Sequence, residues 1–234
     1  ANRLRGATVY LGGPRGSTVT GTCNVMTAAT LAEGTTTIEA AACEPEVVDL
    51  GECLNRMGAD IEGLGTPQLV IHGVSELGGT SYRVIPDRIE VATLIIAAAI
   101  TGSEIELDPV CVSHLGAVLD ILRSTGVEFD VTGSNEEYSH QRLHVTAPAR
   151  LRATEITSLP YPGVPTDVQA QLMALLCLAD GTSVVTDRVF PDRFLHAAEL
   201  TRMGAQIHRE GASAVISGVP RLSGANVMAS DLRA

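Results

Sequence analysis

Three prolines in six residues, Pro160, Pro162 and Pro165, lead directly into Thr166-Asp167-Val168-Gln169-Ala170-Gln171. Proline fixes φ, so this approach is stiff and holds one carboxylate, Asp167, at what the following pattern marks as a helix start. A carboxylate held there can take a proton from a substrate hydroxyl that comes within hydrogen-bond reach. The plainer reading is a helix cap worth about 1 kcal/mol. Further along, Val189-Phe190-Pro191-Asp192-Arg193-Phe194 places Arg193 at the entrance of another helix. Its guanidinium can grip a phosphate or carboxylate at two points. The alternative for Arg193 is a surface ion pair with Asp192 or Glu199.

A second candidate is the loop from Gly12 to Gly21, Gly-Gly-Pro-Arg-Gly-Ser-Thr-Val-Thr-Gly, which opens an apolar helix. Backbone N–H groups and the hydroxyls of Ser17 and Thr18 can face a phosphate at such a helix terminus. The loop fits neither the lysine-bearing phosphate loop nor the spaced-glycine dinucleotide fingerprint. An ordinary glycine-rich turn is the competing reading.

Composition narrows the chemistry. All 16 basic residues are arginine, so Schiff-base chemistry is excluded and anion clamping remains. A net charge of −11 opposes non-specific binding to nucleic acid or to an anionic membrane. The five cysteines show no paired metal spacing; they read as buried, reduced small hydrophobes in a cytoplasmic protein. No apolar run approaches the roughly 18 residues that span a bilayer, and neither a metal nor a cofactor is implied.

The elements that carry these residues recur along the chain. Gly34, Gly102 and Gly181 each end an alanine-rich helical stretch, and Gly58, Gly126 and Gly204 follow 24, 24 and 23 residues later. The repeat is about 70 residues long, larger than a solenoid unit. In each copy an apolar helix closes at its glycine in the left-handed conformation. A strand follows at Thr35–Glu39, Ser103–Leu107 and Thr182–Thr186. An amphipathic helix comes next, with Pro45 and Pro109 in the first turns of the first two copies. Two returning strands include Gln68–His72, Leu143–Thr146 and Ala214–Ser217. Val91–Ile100 is apolar on every side and belongs inside the protein. Asp87, Asp167 and Asp231 stand at the thresholds of successive apolar helices, where they can act as N-caps.

Five motifs in order carry a resemblance. Glu44-Pro45-Glu46-Val47-Val48-Asp49, Tyr82-Arg83-Val84-Ile85-Pro86-Asp87-Arg88-Ile89-Glu90, Pro165-Thr166-Asp167-x-Gln169-Ala170-Gln171, Val189-Phe190-x-x-Arg193-Phe194 and Leu222-Ser223-Gly224-Ala225 through Asp231-Leu232-Arg233-Ala234 closely resemble the UDP-N-acetylglucosamine enolpyruvyl transferase family. The resemblance covers essentially the whole chain. It implies an α/β fold of repeated βαβαββ units, about three of them here, forming the inside-out α/β barrel of the EPSP synthase-like superfamily. Residues 1–86 then read as the last unit of a first domain and 87–234 as two units of a second.

The resemblance also implies an activity: transfer of enolpyruvate from phosphoenolpyruvate to the 3-hydroxyl of UDP-N-acetylglucosamine, releasing phosphate, as the first committed step of peptidoglycan synthesis. Asp167 matches the family's catalytic aspartate, and Asp231 and Arg233 match members of its acid and cation set. Val189 and Phe190 match backbone contacts to the N-acetyl sugar, and Arg193 belongs to the same binding segment. Ser17, Thr18 and Val19 align with a loop near the nucleotide phosphates, where Gly16 replaces the expected lysine and Arg15 is the nearest cation. The family's Lys-Asn pair, its mobile loop with a reactive cysteine and a late arginine have no counterpart here. The chain therefore reads as the interior of a longer protein, without turnover by itself. Two rivals stay open: enolpyruvylshikimate-phosphate synthase activity, and a non-catalytic binding protein on the same fold.

Overall fold

Alternation of buried and exposed side chains shapes the strands, and in this computed structural model, which describes residues 4–134 and 141–229, they form three separate sheets. The chain divides into two compact units, Ala1–Ile85 and Pro86–Ala234.

In the first unit the order is β1 (Thr8–Tyr10), α1 (Val19–Ala29), β2 (Thr35–Glu39), α2 (Pro45–Arg56), β3 (Asp60–Glu62) and β4 (Gln68–His72). The sheet runs β1-β2-β4-β3, with β1 parallel to β2 and the other pairs antiparallel. Register sets Ile38 opposite Leu69 and Ile61 opposite Ile71. The period-two pattern thus turns one apolar face onto Met26, Val47 and Leu54 of the two helices, which close the core. Pro45 is the first residue of α2, where its missing N–H leaves no bond unmade.

The second unit holds two copies. One comprises α3 (Arg88–Thr101), β5 (Glu104–Val110), a 3₁₀ turn at Val112–Leu115, α4 (Gly116–Thr125), β6 (Glu128–Thr132) and β7 (Gln141–Thr146), with sheet order β5-β7-β6. The other comprises β8 (Glu155–Ser158), α5 (Thr166–Leu176), β9 (Thr182–Asp187), α6 (Leu195–Arg202), β10 (Gln206–Glu210) and β11 (Ser213–Ser217). Its sheet, β10-β11-β9-β8, repeats the topology of the first unit, down to one parallel pair, β8 with β9. Helices α3 and α5 pack together, with Ile95, Ile96, Leu172 and Met173 in one continuous core with Leu119, Leu143 and Ile216. The fold is thus α/β with repeated units forming three sheets, and closure of these sheets into a barrel is not seen.

Two glycines show how tightly the copies are built. A Cβ on Gly73, just past β4, would lie 1.7 Å from the carbonyl oxygen of Ala32, and one on Gly218, just past β11, 1.7 Å from that of Ala179. Their N–H groups donate to the carbonyls of Gly34 and Gly181, at 2.9 and 3.0 Å. The last strand of each of these copies is thereby docked on the end of its apolar helix by backbone alone.

Several expectations change. Gly102 is the left-handed C-cap of α3, but α1 and α5 end at Thr30 and Cys177, both in right-handed geometry. Gly34 and Gly181 keep positive φ values of 88° and 110° in the turns that follow. Pro109 lies within β5, beside the register shift between Leu107 and Val110, where a strand tolerates a residue without an N–H. Helix α3 is not buried all round, since Leu94 is 41% exposed. Cys111 and Cys177 are buried, whereas Cys23, Cys43 and Cys53 are only half-buried. No described helix is long and apolar enough to cross a membrane.

Candidate active site

The best-developed cluster lies in the second unit, where the start of α5 meets the loop between β9 and α6. Pro165 is the N-cap of α5, in extended geometry and with no side chain able to accept a hydrogen bond. Asp167 therefore falls one residue inside the first turn, favourable for an acid near the positive helix end. It is not the cap, unlike Asp87, whose carboxylate accepts from the N–H groups of Ile89 and Glu90 at the start of α3.

Arg193 fills the space in front of that acid. Its Nη1 stands 2.6 Å from Oδ1 of Asp167 and also reaches Oγ1 of Thr166 at 3.5 Å. The Phe190 ring lies beneath the guanidinium, 5.9 Å from ring centre to Cζ. Asp192 bonds Arg209 at 3.0 Å, and Glu199 pairs with Arg202 at 3.5 Å.

Under this pair sits Asp187, wholly buried at the end of β9. Thr166 donates its hydroxyl to Oδ2 of Asp187 at 2.6 Å. The N–H groups of Val189 and Phe190 both donate to Oδ1, at 2.9 and 2.7 Å. Phe190 accepts from the Arg193 N–H at 2.9 Å, which closes the loop back onto the cation. Since the two N–H groups are engaged, any ligand contact from the Val189–Phe190 backbone is made by a carbonyl. Gln171 adds a brace, donating from Nε2 to the Asp167 carbonyl and to Oγ1 of Thr93 on α3, each at 3.0 Å.

The sequence by itself gives neither Thr166 nor Asp187 a role of its own. The available signal was local: an aspartate two and three residues ahead of free backbone N–H groups is an Asx-turn pattern. Its link to Thr166 depends on α5 packing over β9, which no local pattern reveals.

The glycine-rich loop belongs to the first unit. Gly13 and Gly16 exchange backbone hydrogen bonds of 2.9 and 3.1 Å, and Gly16 takes a φ of 102°, so the loop is a closed turn with Arg15 exposed at its tip. Thr18 is the N-cap of α1, accepting from the Gly21 N–H at 3.2 Å. Val19 opens the helix, and Ser17 is half-buried just before it. The N-cap bond uses the Thr18 hydroxyl as an acceptor, so its own proton can still be donated to an anionic oxygen. Asp231 and Arg233 lie outside the described residues.

In chain order, two βαβαββ copies with four-stranded sheets stand either side of a copy whose sheet has three strands. The chain belongs to the EPSP synthase (3-phosphoshikimate 1-carboxyvinyltransferase) family, whose model matches residues 3–234. Within that family it is 52% identical over 233 residues to the UDP-N-acetylglucosamine 1-carboxyvinyltransferase of Akkermansia muciniphila, covering 99% of this chain and 53% of the relative. The enzymes of the same name from Methylacidiphilum infernorum and Desulfosudis oleivorans are 50% and 46% identical. The chain spans about half the length of the curated relatives it matches, 53–54%. Among solved structures, the enolpyruvyl transferase NikO from Streptomyces tendae superposes with a TM-score of 0.81 at 26% identity, over 94% of this chain and 52% of that one. EPSP synthase from Acinetobacter baumannii shares the fold with a TM-score of 0.68 at 22% identity, over 94% of this chain and 50% of its own.

Proposed function

We propose that this chain forms part of a UDP-N-acetylglucosamine 1-carboxyvinyltransferase, a cytoplasmic enzyme that moves enolpyruvate from phosphoenolpyruvate to the sugar 3-hydroxyl and releases phosphate. The observation that carries the reading is the Asp167–Arg193 pair at the start of α5. In this reading the carboxylate accepts the proton of the sugar hydroxyl as its oxygen bonds to the enolpyruvyl carbon. The guanidinium keeps that carboxylate aimed, and the Val189 carbonyl receives the sugar's amide N–H. Ser17, Thr18 and Val19 at the start of α1 take a phosphate of the nucleotide, with Arg15 as the neighbouring cation. Asp231 and Arg233 complete the acid and cation set. Residues 1–86 act as the last unit of one inside-out barrel domain and 87–234 as two units of a second.

Support for the sugar-nucleotide branch comes from the 46–52% identity to three relatives of that name. Calorimetry with UDP-N-acetylglucosamine and with shikimate 3-phosphate tests the choice. Saturable heat with the first alone is expected, and saturable binding of shikimate 3-phosphate alone would overturn the proposal.

A further inference from the structure

We infer that Asp187 is the positioning residue of this site, a buried joint that fixes the start of α5 and the Val189–Phe190 loop in one geometry so that Asp167 and the loop carbonyl meet the same sugar. This rests on the reading of the site as one for a UDP-sugar.

Asp187 cannot itself touch substrate. It has no exposed surface, and its two oxygens already accept three hydrogen bonds of 2.6, 2.7 and 2.9 Å. A carboxylate removed from water is tolerated only when so supplied. The bonds arrive from two separate elements, the helix through Thr166 and the loop through Val189 and Phe190. A ring results: Asp187 to Thr166, its neighbour Asp167 to Arg193, the Arg193 N–H to Phe190, and Phe190 back to Asp187.

The fold does not require an acid at this place. Asp187 lies six residues beyond the turn glycine of its copy, Gly181, and the same count from Gly34 and Gly102 gives Ala40 and Asp108. Ala40 lies one residue past β2 and has no carboxylate to form such a joint, yet the first unit builds its sheet and core with it. Asp108 faces outward to Arg142 at 2.8 Å. Only the last copy turns the acid inward to join helix and loop. Since a misplacement of about 1 Å at a reacting centre can lower a rate about 100-fold, a rigid joint here has a chemical use.

The test measures UDP-N-acetylglucosamine affinity by calorimetry and amide hydrogen exchange residue by residue, on the parent protein and on Thr166→Val, Thr166→Ser and Asp187→Asn. Thr166→Val removes the bond to Asp187, and with it the long 3.5 Å contact from Arg193 Nη1, but leaves the Val189 and Phe190 N–H bonds to Asp187 in place. Affinity is expected to fall roughly tenfold, the loss of a hydrogen bond to a charged group, while Thr166→Ser restores it. Exchange at Val189 and Phe190 should accelerate in Thr166→Val and not in Thr166→Ser, with the β10–β11 amides unchanged. Asp187→Asn keeps the Oδ1 acceptor and can donate from Nδ2 to the Thr166 hydroxyl in place of accepting from it, so it should fall between Thr166→Val and Thr166→Ser. If the parent binds no UDP-N-acetylglucosamine, the functional reading falls, and exchange alone then decides the joint: acceleration confined to the two loop amides supports it. Unchanged exchange at those amides, or equal acceleration throughout β10–β11, overturns it.

Discussion

Nη1 of Arg193 lies 2.6 Å from Oδ1 of Asp167, and the arginine side chain is the more sheltered partner, 18% exposed against 39% for the aspartate. The acid thus presents its open side outward while the cation is held in place behind it by the Phe190 ring and Thr166. An ordinary surface pair would leave both groups mobile.

Replacing Asp167 with Asn in the enzyme as its gene encodes it should lower kcat by about 100-fold or more, the usual scale for losing a proton acceptor. The same change should move stability by no more than about 1 kcal/mol, because the acid is partly solvated. Steady-state kinetics and a thermal melt on one preparation separate the two effects. A kcat within threefold of the parent would reduce Asp167 to a helix-end charge.

Arg193→Lys should weaken UDP-N-acetylglucosamine binding by roughly tenfold despite keeping the charge. An ammonium cannot bond Asp167 and Thr166 from one planar group while lying over Phe190. Calorimetry is the check, and full affinity in the lysine variant would show that charge alone suffices.

Gly73→Ala and Gly218→Ala should each destabilise by about 3 kcal/mol, because the added methyl meets a backbone carbonyl that cannot rotate away. Gly79→Ala is the control, since its added carbon has nothing within 4 Å. Urea unfolding of the three variants tests this, and equal midpoints would mean that the strand ends can shift freely.

Burial pushes the Cys177 thiol up to about 11 from an ordinary 9.0. The folded protein then keeps a proton that the unfolded chain releases, so stability is unaffected below about pH 9 and declines as pH rises towards 11. Cys177→Ala should flatten that part of the stability curve. Cys23 and Cys43, raised chiefly by burial, and Tyr82, raised by burial and its bond to Asp49, cancel in the difference between parent and variant. Parallel curves from pH 8 to pH 11 would contradict the assignment.

What could be read from sequence follows the range of the interactions. Thr35–Glu39 and Gln68–His72 appear as expected because alternation within five residues determines a half-buried strand. Pro45 marks the start of α2 for an equally local reason. Local signals failed where two solutions were both locally sound. Asp192 is adjacent to Arg193 in sequence, yet Arg209 takes it, and Arg193 crosses to α5. Thr30 and Cys177 end their helices ahead of the conspicuous glycines, because Ala32 N–H and Ala179 N–H bond into the turn instead. The Asx-turn pattern marks Asp187 locally, but its role as a joint is hidden, since it depends on Thr166 arriving from another element.

The members of the ring around Asp187 are at most 27 positions apart along the chain, and all belong to one copy of the repeat. The arrangement can therefore be inherited as a single cassette. A duplication or exchange of neighbouring copies would carry it whole, leaving evolution free to alter ligand preference in one copy while the others merely keep the scaffold standing.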